Sequence, residues 1–415
     1  MGTHLELEVG PVAHGGHCVA RHEGRVVFVR HALPGELVLA VVTDGGASSR
    51  FLRADAIEVR RASPDRVEPP CPFAGPGRCG GCDWQHASLA AQRRLKADVV
   101  REALRRQAGL DVPVVVEAVP GDLDGLGWRT RVHFAVDAHG RAGLRGHRSH
   151  EVVPVDDCRI ASAGVRAPDA LAATWPRARG LDVVSSATGQ RAVVVHEASG
   201  RTRRAEGPGT VTELVGGRPF RVGVDGFWQV HPGAARTLTE AVLDGLGPRP
   251  GESALDLYCG VGLFARALGD AVGPGGSVTA VESDARAVSH ARRNLHDAPH
   301  VRLVGDRVEK ALSTGPVPLR ADLVVLDPPR SGAGARVVAA VADRAPRRVG
   351  YVACDPVALA RDLATFAGLG YGLRSLRAYD LFPMTAHVEV VAILGPADPV
   401  TSSGADRQPG ILTSR

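Results

Sequence analysis

From about residue 236 the sequence settles into one repeating pattern. The apolar runs "SALDLYC", "SVTAVE", "ADLVVLDPP" and "RRVGYVAC" each lead into a longer stretch of helical periodicity. Strands alternating with helices specify a doubly wound, largely parallel sheet, and this limits the fold more than any other feature of the chain. In "ALDLYCGVGLFA" the first of these strands meets a glycine turn at Gly260 and Gly262, and with Ala265 the stretch fits G-x-G-x-x-G/A. Glycine lets the backbone pass close to a ligand, and the helix that follows offers free N–H groups. Glu282 ends the next strand, where a carboxylate can accept hydrogen bonds from ribose hydroxyls.

The first part of the chain reads differently. Residues 1–62 alternate apolar and polar in short runs such as "RVVFVRH" and "ELVLAVV", the pattern of a small antiparallel β-barrel of the OB kind. "RASPDRVEPPC" is a linker by composition. Residues 63–235 are expected to form an α+β domain: a cysteine-bearing loop, a helix opening near Ser88 with Leu95, Val99 and Ala103 on one face, and then short strands. "WRTRVHFAV" is the clearest of these, with Arg129, Arg131 and His133 alternating against Val132 and Phe134. Residues 236–395 hold the α/β pattern, and 396–415 read as a disordered tail. At 415 residues the chain has room for such a multidomain arrangement.

Composition excludes little. No apolar run reaches membrane-spanning length, and the first residues lack a secretory leader, so a cytoplasmic protein with no membrane partner is expected. The net charge of +5 permits contact with a polyanion without demanding it. All basic residues except Lys96 and Lys310 are arginine, whose planar fork suits phosphate.

Nicotinamide and S-adenosylmethionine (SAM) sites share the strand–glycine–helix logic. Asp256, just before the glycines, suits a zwitterionic amino acid better than a pyrophosphate. Asp327-Pro328-Pro329, closing a later strand, is similar to a signature of methyltransferases that act on planar bases, so SAM is favoured. Enzymes that methylate exocyclic amines carry an aromatic residue next, where this chain has Arg330. In "GYVACDPVALARDL" Cys354 ends a strand before Asp355 and Pro356, which suit the N-cap and first positions of a helix. Such a thiol is either a small buried side chain or a nucleophile whose pKa the helix N-terminus lowers. A nucleophile is what methylation at C5 of a pyrimidine needs. A thiolate adding at C6 makes C5 carbanion-like, and a base must later remove the C5 proton. Glu389, in the "LFPMTAHVEV" loop before the last apolar strand, is the candidate base.

Together "FWQV", "DLYCGVG", "DPPRSGAG", "YVACDPVALARD" and "DLFPMTAHVE" resemble, in order, the motifs of the RNA uracil-C5 methyltransferases, which make 5-methyluridine. The resemblance covers the C-terminal half. It implies Cys354 as nucleophile, Glu389 as base, and Gln229, Tyr258, Gly260, Gly262, Glu282, Asp306 and Asp327 around SAM. It departs at Leu263, where the family often has Asn, and at Asp355, where Asn is usual; the added charge is expected to raise the thiol pKa. "FVRHALPGE" resembles the TRAM barrel, which binds RNA. Cys71, Cys79, Cys82 and Cys158 form a set of four thiols that by spacing alone suits zinc or a [4Fe–4S] cluster equally. The resemblance to the ribosomal-RNA branch implies the cluster. That branch also implies rRNA rather than tRNA as substrate, for an enzyme expected to be a monomer. The rival readings are a tRNA uridine methyltransferase, a base-amine methyltransferase, and a non-catalytic RNA-binding protein. The intact Cys354 and Glu389 argue against the last of these.

Overall fold

The computed structural model describes residues 2–46, 48–122, 124–166 and 169–397, so the expected disordered tail lies, from residue 398 on, outside the described residues. Strands β1 (His4–Glu8), β2 (Cys18–His22), β3 (Arg25–Arg30), β4 (Leu37–Asp44) and β5 (Phe51–Arg61) form one sheet in the order β1-β4-β5-β3-β2. The alternation read from the sequence sets its two faces: Leu5, Leu7, Val27, Val29, Val38 and Ala40 point inward.

Helix α1 (Leu89–Ala108) begins where Ser88 caps it, the hydroxyl accepting from the Ala91 amide, and ends at Gly109 in the left-handed region. It has two apolar faces rather than one. Ala91, Leu95 and Val99 complete the core of the barrel with Trp84, whereas Ala97, Val100, Ala103 and Leu104 belong to the core of the C-terminal sheet. Ala103 thus departs from the face expected of it. Burial on two sides makes α1 a wedge between the domains, and truncating fully buried Leu104 to Ala would cost about 2–5 kcal/mol.

After α1, β6 (Val116–Glu117) precedes a six-stranded antiparallel sheet of β7 (Arg131–Val136), β8 (Ala142–Arg145), β9 (Val152–Pro154), β10 (Ala178–Ser185), β11 (Arg191–Glu197) and β12 (Thr202–Glu206). Short helices α2 (Ala163–Arg166) and α3 (Asp169–Ala172) lie between β9 and β10, and a hairpin, β13 (Thr210–Val215) and β14 (Arg218–Gly223), follows β12. The C-terminal unit comprises α4 (Ala234–Leu246), β15 (Ser253–Leu257), α5 (Leu263–Val272), β16 (Ser277–Glu282), α6 (Ala285–Asn294), β17 (Val301–Gly305), α7 (Val308–Thr314), β18 (Leu323–Leu326), α8 (Ala335–Ala342), β19 (Arg348–Ala353), α9 (Pro356–Gly368), β20 (Tyr371–Tyr379) and β21 (Glu389–Pro396).

Its sheet runs β17-β16-β15-β18-β19-β21-β20-β6. The five strands from β17 to β19 are parallel, and β21 returns antiparallel to β19. Besides α1, packing crosses the boundary expected at 235/236 in two further places. β6 pairs with β20, and the β13–β14 hairpin puts Val211, Phe220 and Val222 into one core with α4 and α5. Short apolar strands look alike in sequence whichever sheet they join. No helix among the described residues is long and apolar enough to cross a membrane.

Candidate active site

Parallel strands all end at the same edge of their sheet, and here that edge carries most of the candidate residues. Beyond β15 come Tyr258, Gly260 and Gly262, each with positive φ. Glu282 closes β16, Asp306 follows β17, Asp327 follows β18 and Cys354 follows β19. The Gly260 amide donates to Glu282 at 3.0 Å, tying the glycine turn to the next strand end. Glu282 also accepts from the amides of Ser283 and Asp284, both at 2.7 Å.

Asp256, on β15 itself, is fully buried with neither carboxylate oxygen hydrogen-bonded. Burial, with Asp327 and Glu282 adding to it, pushes its carboxyl up to about 8. An orphaned buried carboxyl beside a glycine turn fits a cationic group of a ligand, since leaving such a group unpaired is costly. Asp306 has local partners, the Arg307 amide at 2.9 Å and Lys310 at 2.8 Å. Gln229 is buried between β14 and α4, and its side-chain amide makes no hydrogen bond among the described residues.

The structure brings Cys354 and Glu389 together with Asp327 and Arg330. Burial, then Glu389, pushes the Cys354 thiol up to about 11; Asp327 adds to the rise and Arg330 opposes it. Burial, with Asp327, likewise holds Glu389 well above the usual carboxylate range, again opposed by Arg330. Burial raises Asp327 to about 7. Of the two readings of this thiol, burial sets its proton affinity, outweighing the helix N-terminus. Asp355 is engaged elsewhere. One oxygen of Asp355 caps α9, accepting from Val357 and Ala358 at 3.0 and 2.8 Å, and the other lies 3.2 Å from His14 Nε2 in the barrel. Glu389 proves to be the first residue of β21 rather than part of the loop.

Residues that the sequence reading left without a role hold these groups in place. Asp362 on α9 accepts from Tyr351 Oη at 2.5 Å and from the amides of Ala333 and Gly334 at 2.7 and 3.2 Å. That anchors the loop carrying Arg330 to the helix that Cys354 introduces. The loop before Glu389 is held by α1. Lys96 Nζ donates to Asp380 at 2.5 Å and to the Phe382 carbonyl at 3.0 Å, with both charged side chains fully buried. Gln92 accepts from the Met384 amide at 2.7 Å, and the amides of Asp83 and Trp84 both donate to the Met384 carbonyl at 3.0 Å. Lys96 could have been found as a rare lysine at an apolar-face spacing, and Asp362 as the last residue of "YVACDPVALARD". Gln92 left no signal.

Cys71, Cys79, Cys82 and Cys158 line one cavity, all four as free thiols. Burial raises the thiols of Cys79, Cys82 and Cys158. Among the described residues no three of these sulfurs lie within 4.8 Å of one another; the one such group of potential ligands is His133, Asp182 and His196, where the carboxylate hydrogen-bonds both imidazoles. A cavity of about 400 Å³ between the barrel and α1, lined by Leu33, Asp65 and Arg101 among others, holds none of the candidate residues.

Comparison with known proteins is consistent with this layout. Residues 1–57 match the TRAM domain and residues 236–349 the methyltransferase small domain. An uncharacterized RNA methyltransferase of Streptomyces avermitilis is 50% identical over 96% of this chain and 99% of its own length. One from Streptomyces coelicolor is 51% identical over 96% and 94%, and one from Bifidobacterium longum 36% identical over 94% and 96%. Among solved structures, the tRNA (uracil-54, C5)-methyltransferase of Pyrococcus abyssi, in complex with S-adenosyl-L-homocysteine, superimposes with a TM-score of 0.70 at 23% identity, over 94% of this chain and 100% of that one. At that identity the likeness extends to the fold.

Proposed function

The chain belongs to this family of RNA methyltransferases, and from that premise we propose that it methylates a uridine of RNA at C5 through a covalent adduct to Cys354. The observation that carries the reading is the meeting of half-buried Cys354 with fully buried Glu389, which raises the proton affinity of the thiol, with Arg330 beside both. Methylation of an amine needs no such pair. Methylation of C5 needs both, a sulfur to add at C6 and a base to take the C5 proton.

SAM, when bound, supplies the methyl group as an electrophile. Asp256 would hold its cationic amino end, Gly260 and Gly262 would let the backbone lie against it, and Glu282 would accept from its ribose. Cys354 and Glu389 disfavour each other's negative charge, so one charge at a time is the stable arrangement. Cys354 adds as thiolate while Glu389 is protonated. Once the sulfur is bound to carbon and C5 has used the freed electrons to take up the methyl group, Glu389, which burial and Asp327 hold protonated in the free protein, gives up its proton to solvent and becomes the base. It then takes the C5 proton, and the electrons left behind expel the Cys354 sulfur. The target base has to leave its stack to reach a thiol at this depth.

The four cysteines would hold a [4Fe–4S] cluster in preference to zinc. Four thiolates lining one cavity suit either group chemically, and zinc is the alternative. The group's role is structural, since methyl transfer is not a redox reaction. Iron, sulfide and zinc analysis of protein purified without oxygen decides between the two. We take rRNA as the substrate, and a monomer in the cytoplasm as the working form.

The test is methyl-labelled SAM with unmodified rRNA and tRNA transcripts in parallel, followed by nucleoside analysis. Label in 5-methyluridine from rRNA supports the whole reading. Label from tRNA alone keeps the chemistry and overturns the substrate. Label only in another nucleoside overturns the reaction.

A further inference from the structure

The barrel carries an aromatic and cationic patch on its outward face. β3 and β5 run parallel with Val26 opposite Phe51 and Phe28 opposite Arg53, so Phe28, Phe51 and Arg53 share one side. Phe51 is 42% exposed. Phe28 meets it edge-on at 5.4 Å, and the Arg53 guanidinium stands 5.5 and 5.2 Å from the two ring centroids. His17 packs against Phe28 at 4.7 Å. Burial and Arg53 hold the His17 imidazole down to about 4, so at neutral pH it is an uncharged ring. Exposed Arg148, from the central domain, adds positive charge beside Arg53 and His17. Among the described residues the acid paired with Arg53 is Asp44, at 3.6 Å.

This patch leads to the thiol. The turn between His14 and His17 has Gly15 and Gly16 at positive φ, and a Cβ on Gly16 would come within 2.8 Å of Ala386 Cβ and 2.9 Å of Asp83. The turn is therefore pressed against the loop before Glu389, and His14 reaches Asp355, next to Cys354. Trp84 Nε1 fixes the turn by donating to the Gly16 carbonyl at 3.0 Å.

We propose that Phe51, flanked by Phe28 and Arg53, stacks an unpaired base of the RNA segment adjoining the target uridine, and that this segment runs past the His14–His17 turn to reach Cys354. Exposed π-faces beside cations are what single-stranded nucleic acid recognises without base-specific hydrogen bonds. A duplex, whose bases are already stacked, cannot use Phe51. The inference rests on the RNA methyltransferase reading and adds a site to it, outside the methyl-transfer residues.

The experiment measures the dissociation constant of the full-length protein for the RNA transcript that it methylates, for wild type, Phe51→Ala and Phe51→Trp, with kcat, KM and SAM affinity alongside. Stacking on one base predicts that Phe51→Ala weakens RNA binding and raises KM about tenfold, with kcat and SAM affinity unchanged, and that Phe51→Trp restores binding. A transcript with the adjoining segment annealed to a complementary strand should bind both wild type and Phe51→Ala at the weaker level. Unchanged RNA affinity in Phe51→Ala, or an equal loss on the annealed transcript, overturns the inference while leaving the proposed reaction intact. Failure of the wild type to form 5-methyluridine overturns the reaction, and the binding comparison still judges the patch.

Discussion

Cys354 and Glu389 meet in one site but are held by different means. Cys354 is set by its neighbours in sequence: β19 ends at Ala353, Asp355 caps α9 with its own side chain, and Pro356 fills the first helical position. Glu389 is set from far away. The loop leading to it is pinned by Gln92 and Lys96 on α1, 292 and 284 residues away along the chain, and by Asp83 and Trp84 beside Cys82. Local encoding tolerates loosening elsewhere in the molecule, whereas distant encoding makes the proposed base depend on the barrel, α1 and the cysteine loop all being in position.

The largest test of that difference is Lys96→Met. It removes the closer of the two cations on buried Asp380, leaving Arg93 at 3.4 Å; breaking a buried pair typically destabilises by about 3–5 kcal/mol, and the remaining cation keeps the loss toward the lower end. Thermal unfolding should show that loss, and the folded fraction should lose most of its methylation activity. Alkylation of Cys354 by iodoacetamide, followed by peptide mass spectrometry, should not fall, and should rise where Glu389 withdraws from the thiol. A parallel fall in Cys354 alkylation would mean that the two residues are not separately held.

Gln92→Ala is gentler. It removes the acceptor of the buried Met384 amide, with an expected loss of about 1–3 kcal/mol and lower kcat at similar SAM affinity. Asp355→Ala probes the other side. Losing the cap should cost about 0.5–2 kcal/mol, and Cys354 alkylation should change while the 381–388 loop keeps its protease resistance. Asp355→Asn, which retains a capping oxygen, should behave almost as wild type.

The smallest effects are in pH. With the thiol raised to about 11, alkylation of Cys354 in the free protein should climb about tenfold per pH unit from pH 7 toward that value. Arg330→Ala should slow it at every pH, because Arg330 favours the thiolate. His14 is raised above its usual value, first by its hydrogen bond to Asp355. Its stabilising contribution is therefore complete below about pH 6.5 and lost as pH rises through the raised value. The pair is half-exposed, so less than about 1 kcal/mol is involved, visible as a small difference between wild type and His14→Ala in unfolding curves at pH 6 and pH 9.

The same division decided what could be read from the sequence. Glycine turn, strand ends and helix cap were legible because each is a pattern within a dozen residues, and the α/β core and the barrel followed from their periods. The holding of the 381–388 loop was not legible. Lys96 stood out only as one of two lysines, Gln92 resembled any helix-surface glutamine, and the second apolar face of α1 lay hidden among alanines. The causes of the thiol's raised pKa are hidden for a related reason. The helix N-terminus is visible in sequence, but burial and the neighbouring Glu389 arise only when distant strands assemble.

The central claim is that Cys354 becomes covalently bound to RNA and that Glu389 is needed to release it. Its most direct test is Glu389→Gln incubated with SAM and unmodified RNA, then resolved under denaturing conditions and by intact mass. The account predicts a protein–RNA species that survives denaturation, contains one transferred methyl group, and disappears when Cys354→Ala is added. Normal turnover to 5-methyluridine by Glu389→Gln, or product formation by Cys354→Ala, would contradict it.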